Sequence, residues 1–124
     1  MDISKVNKLF VELEAWGCNI DEAMDRLLDD KEIFLRFLFQ FIEDEKFVEL
    51  EQAIHENNRE KAFECGHALK GVAGNLSLKP IYYTTSLLVE ALRNEDTNKL
   101  IPLLEDVLEK KEELCAITKK AGFV

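Results

Sequence analysis

Apolar residues along this chain recur at three- and four-residue intervals and nowhere settle into strict alternation, which is the periodicity of helices sharing a core rather than of strands. Val6, Leu9, Phe10 and Leu13 form a first amphipathic stretch that should stop near Trp16 and Gly17, and a brief second helix follows over roughly Asp21 to Leu28. Asp29 or Asp30 can cap the next helix, in which Phe34, Phe37, Leu38, Phe41 and Ile42 make the clearest core stripe of the sequence, with Leu35 and Phe39 off it. Phe47 to Glu56 reads as another short helix. Asn57 or Asn58 can then cap a helix whose apolar residues are Ala62, Cys65, Leu69, Val72, Ala73 and Leu76. Pro80 suits the first turn of a helix reaching about Arg93 and carrying Ile81, Leu88, Ala91 and Leu92, because a missing donor does no harm there. After a break over Asn94 to Asn98, a last helix carries Leu100, Leu103, Leu104, Val107, Leu108 and Leu114, with Pro102 near its start and Lys119, Lys120 and Gly122 near its end.

The expected fold class is therefore all-α. Four longer helices with short connections imply an antiparallel up-and-down four-helix bundle, with one or two short N-terminal helices covering an end. A length of 124 residues predicts one domain, residues 1–124, large enough for a core without staples. Only five Gly and two Pro agree with long helices, and 47% hydrophobic residues argue against disorder.

Charge narrows the partners. A net charge of −9 disfavours phosphate backbones and anionic membrane surfaces, so nucleic acid and membrane are not expected partners. Residues 59–79 run against that trend: Arg59, Lys61, Lys70 and Lys79 face only Glu60 and Glu64. Cys18, Cys65 and Cys115 form no CxxC pair or zinc-like cluster and read as reduced, buried thiols. The N-terminal segment has no leader-like pattern and no stretch approaches a membrane span, which places the chain in the cytoplasm.

Within the basic segment, His67, Lys70, Gly71 and Gly74 occupy i, i+3, i+4 and i+7, one face of a helix rotated away from its apolar stripe. His67 should face solvent. Each mid-helix glycine costs about 1 kcal/mol relative to alanine, so two beside one imidazole suggest that something must approach the ring. A free imidazole titrates near pH ~6.5 and is largely neutral and nucleophilic at cytosolic pH without a dedicated base.

The run HALKG followed by VAGNLSL resembles the signature of the histidine-containing phosphotransfer domain family, in which HxLKG lies on an exposed helix of a four-helix bundle. GCNIDEAMDRLLDDKEIFLRFLFQFIED, residues 17–44, is also similar to that family's N-terminal region. The resemblance implies a phosphorelay intermediate in two-component signalling, without turnover of its own. His67 would accept a phosphoryl group from a receiver-domain aspartyl phosphate and pass it to another receiver. Lys70 would neutralise phosphoryl oxygens, Gly71 would leave room for the phosphoryl group and the partner's loops, and Gly74 would extend that bare strip. It further implies receiver domains of response regulators or hybrid sensor kinases as partners, and no cofactor bound by this chain. Mg²⁺ is expected in the partner receiver. Phe63 and Leu78 bracket the stripe as candidate partner contacts, and a monomer suffices for this chemistry.

Two positions depart from the family pattern. Where the family often has glycine ten residues past the histidine, this chain has Ser77, which should end the helix or cap the next. About 22 residues past the histidine the family often has a glutamine or glutamate that bonds the proximal ring nitrogen; here Val89 stands there, with Glu90 next. The missing orienting residue supports the alternative of a non-catalytic helical adaptor that binds receivers without phosphotransfer. An enzyme using His67 as general base lacks an accompanying nucleophile, oxyanion donor or metal set. His55 reads as an ordinary surface residue, Cys65 and His67 point apart on a helix, and GVAG lies in a helical pattern without the sheet of an RNA-binding module.

Overall fold

The structure, a computed structural model, describes residues 2–123; Met1 and Val124, the ends of the expected domain, lie outside the described residues. Seven α-helices follow one another among these residues: α1 (Ile3–Trp16), α2 (Ile20–Arg26), α3 (Lys31–Ile42), α4 (Lys46–His55), α5 (Arg59–Asn75), α6 (Lys79–Arg93) and α7 (Leu100–Lys120), with one 3₁₀ turn at Thr97–Lys99.

Local chemistry explains where the helices begin and end. Asp2, Asn19, Asp30 and Asn58 each accept a hydrogen bond from the backbone N–H three residues on, capping α1, α2, α3 and α5. Asp30 and Asn58 thereby settle two pairs of candidates. At the other ends, α4, α5, α6 and α7 stop at Asn57, Ser77, Glu95 and Gly122, all at positive φ. The N–H of each of these residues, and of the next, returns to carbonyls of the last turn, as in Asn58 to Ala53 at 2.8 Å and Leu78 to Ala73 at 2.9 Å.

Packing assembles the bundle. α5 lies along both α4 and α6, α6 along α7, and α7 returns to α4, closing a ring of four. Gly66 abuts Val89 while Gly74 abuts Tyr82, so α5 and α6 run antiparallel. The first helices depart from expectation: α1, α2 and α3 all precede the ring, and α1, at 14 residues, is not short. It runs along α7, where the Trp16 indole donates to Glu113 Oε1 at 2.9 Å.

The core joins all seven helices, with Phe34, Phe41, Phe47, Leu50, Leu69, Leu88, Val107 and Leu114 fully enclosed. In α3, Phe34, Leu38 and Phe41 of the expected stripe are buried, but one edge of the buried face differs. Leu35 is buried, whereas Phe37 is 40% exposed. Cys18 and Cys65 are buried as expected, but Cys115 is only half-buried. Burial first, then the charges of Glu14 and Glu22, push the Cys18 thiol up to about 12, so it stays protonated.

Candidate functional site

The stripe on α5 takes the expected position. Ala62, Cys65, Gly66, Leu69 and Ala73 face the core, which turns His67 outward into solvent. Gly71 is exposed beside it, and a Cβ built there would meet nothing within 4 Å. Lys70 is half-buried, its ammonium 5.8 Å from the ring centroid of Tyr82 on α6. The imidazole, the cation and the open gap thus share one face at the middle of the helix.

Three site expectations need correction. Leu78 is fully buried in the loop between α5 and α6, where it begins α6 and seals the bundle end, so it is not available to a partner. Gly74 does not extend the bare strip, because its Cβ would lie 3.1 Å from Tyr82 Cε1; that glycine admits an aromatic ring from the neighbouring helix. Phe63 is half-buried with its ring stacked on His67, centroids 5.9 Å apart and planes at 8°, so much of the surface offered to a partner is already covered.

Two further residues were not singled out from sequence. Gly66 lies on the inner side of α5, where a Cβ would sit 3.1 Å from Val89 Cγ2. Its signal was a row of small residues, Ala62, Cys65, Gly66 and Ala73, of the kind that lets helices approach closely. Arg93, at the end of α6, places its guanidinium 5.6 Å from the Phe63 centroid.

Behind the stripe, α2 braces the end of α5. Arg26 Nη1 donates to the carbonyls of Gly74 and Asn75 and to Ser77 Oγ, and Ser77 Oγ donates to Glu22 Oε1. Ser77 has φ +53°, which explains physically why glycine suits this position, and its hydroxyl bonds offset part of that strain. Hydrogen bonds from Arg26, then Lys79 and Ser77, hold the Glu22 carboxyl below the usual carboxylate range.

Beside α5 a groove of about 510 Å³ opens between α2, α3 and α5, with Leu27, Phe37, Phe41 and Val72 among its walls. No group of three or more His, Cys, Asp or Glu among the described residues could hold a metal ion. No helix among them is long and apolar enough to cross a membrane.

The family model described as Hpt domain matches residues 36–116, from the middle of α3 to near the end of α7. The chain belongs to the Hpt domain family. Hpt domains carry out histidine phosphotransfer in two-component phosphorelays, interacting with receiver domains as carriers rather than as classical enzymes. The match begins at Arg36, so residues 17–35 of the N-terminal resemblance lie outside it. No curated protein and no solved structure gives a significant match.

Proposed function

We propose that this Hpt domain is a phosphorelay intermediate in which His67 receives a phosphoryl group from the aspartyl phosphate of one receiver and delivers it to the aspartate of another. The observation that carries the reading is an exposed imidazole with an unfilled gap at Gly71 on the same helical face. In the forward step the Nε2 lone pair attacks phosphorus, the bond from phosphorus to the aspartyl oxygen breaks, and the carboxylate leaves with that electron pair. The reverse polarity loads the second receiver. Phosphoryl transfer demands mainly in-line positioning and charge neutralisation. Lys70 supplies one cation, and Mg²⁺ with its carboxylate ligands belongs to the receiver. The domain acts as a cytoplasmic monomer, because one nucleophile suffices at each step.

Docking also needs an apolar surface. With Leu78 buried, Phe37 and Val72 beside the groove take its place. Incubating the domain with phosphorylated receiver domains and Mg²⁺ should produce acid-labile, alkali-stable phosphate on the wild type and none on His67→Gln. Label on the variant, or none on the wild type across several receivers, removes the proposal. The second reading, a receiver-binding adaptor without phosphotransfer, draws on the absence of any hydrogen bond to the His67 ring among the described residues, and predicts binding without label.

A further inference from the structure

The His67 ring needs an orienting partner, because the χ2 torsion of histidine is broad and the Nε2 lone pair points wherever the ring plane points. An in-line attack tolerates little error in that direction. Position 89 holds a valine that is buried against Gly66 and has no polar atom. Glu90 is not a substitute: it is exposed, and its carboxylate accepts from Arg93 Nη1 at 2.7 Å and from Asn94 Nδ2 at 3.4 Å. No other side chain hydrogen-bonds the ring among the described residues.

What does touch the ring is Phe63. The two rings lie 5.9 Å apart at 8° on successive turns of α5, within the separation at which aromatic pairs attract. We propose that Phe63 is the positioning residue for His67, fixing the imidazole plane by offset stacking of the two parallel rings where a hydrogen bond from α6 is missing. This inference rests on the phosphorelay reading of His67.

Stacking suits the task. A nitrogen lone pair lies in the ring plane, so a neighbour on the face restricts rotation about χ2 while leaving both nitrogens unoccupied at the edge. Phe63 can act as a fixed platform because its inner side packs against the core cluster. Its ring is also held by the Arg93 guanidinium 5.6 Å from the centroid, and Arg93 is in turn held by Glu90. The acidic residue one step beyond the expected position therefore reaches the imidazole indirectly, through Arg93 and Phe63.

Aromatic pairing of the usual strength would bias the ring toward the stacked orientation about 2- to 12-fold, and that factor is the expected effect on transfer. The test compares wild type with Phe63→Leu, which keeps apolar bulk without a face, and with Phe63→Tyr, which keeps the face. In the unphosphorylated protein, NMR should show the His67 ring protons shifted upfield by the Phe63 ring current in wild type and Phe63→Tyr, and unshifted in Phe63→Leu. With a receiver domain charged by acetyl phosphate and Mg²⁺, Phe63→Leu should lower the saturating transfer rate about 2- to 12-fold. The half-saturating receiver concentration should stay the same, and Phe63→Tyr should restore the rate. Loss confined to half-saturation would make Phe63 a docking contact and overturn the inference. So would an unshifted His67 in the wild type, or a Phe63→Leu domain that transfers at the full rate. A shifted ring in a wild type that accepts no phosphate from any receiver would remove the phosphorelay reading itself, and this inference with it.

Discussion

Gly71 offers a perturbation whose two effects should have opposite signs. The residue sits mid-helix in α5, exposed, with no heavy atom within 4 Å of where a Cβ would be. Gly71→Ala should therefore gain the full difference in helix propensity, about 1 kcal/mol, with no clash to offset it. For a domain of this size that is a rise in melting temperature of roughly 3–6 °C. Gly71→Gln should gain about half as much. Transfer should respond the other way. Residues at i and i+4 have Cβ atoms about 5–6 Å apart, a distance that a glutamine side chain spans, so the new amide would occupy the approach to His67. A displacement of about 1 Å at a reacting centre costs on the order of 100-fold, which is the slowing expected for Gly71→Gln, with Gly71→Ala intermediate. Thermal unfolding followed by circular dichroism gives the first quantity, and single-turnover transfer from a phosphorylated receiver gives the second. A stabilised variant that transfers at the wild-type rate would refute the argument that the gap serves the partner. A destabilised Gly71→Ala would refute the placement of Gly71 in open space.

Other substitutions separate core from surface. Gly66→Ala should lower the melting temperature despite better helix propensity, because Val89 is β-branched and cannot turn aside cheaply, and Val89→Ala in the same chain should recover part of the loss. Leu78→Ala should cost about 2–5 kcal/mol in denaturant unfolding, as for any large buried aliphatic; a loss near zero would return Leu78 to the surface. Phe37→Ala should weaken receiver binding in calorimetric titration with only a small change in melting temperature, since Phe37 is 40% exposed at the groove. Because the folded-state pKa of Glu22 is depressed, its stabilising contribution is complete above the ordinary carboxylate value of about 4.5 and is lost as pH falls through the lower folded value. Denaturant midpoints across pH 6 to 3 should accordingly fall less steeply in Glu22→Gln than in wild type.

Most helix boundaries were legible because capping is local: Asp30 and Asn58 act through neighbours three residues away, and Pro80 and Gly122 constrain their own backbone. One edge of the buried face of α3 was not. Only Arg36 and Gln40 interrupt its apolar residues from Ile33 to Ile42, so the pattern fits more than one buried face. Tertiary packing decides between them, burying Leu35 and leaving Phe37 40% exposed. The burial of Leu78 is hidden from local sequence for a related reason. Connections between helices usually face water, but here the backbone N–H of Asn19 bonds the Ser77 carbonyl at 3.1 Å, drawing the chain ahead of α2 across this loop and closing the bundle end over Leu78.

The outward direction of His67 was readable from helical phase alone, whereas what surrounds it depends on α6, and the three glycines of α5 show the difference. Each carries a similar cost to helix formation, about 1 kcal/mol. At Gly66 and Gly74 that cost is offset in the folded state, since Val89 and Tyr82 come within 3.1 Å of where a Cβ would stand and α6 lies correspondingly close. Gly71 makes no such contact, so packing gives no reason for a glycine there. Sequence spacing groups Gly71 with Gly74 because both share a face with His67, yet only Gly71 is bare. On the phosphorelay reading proposed above, a partner that must reach the imidazole edge supplies the reason for a glycine at that position.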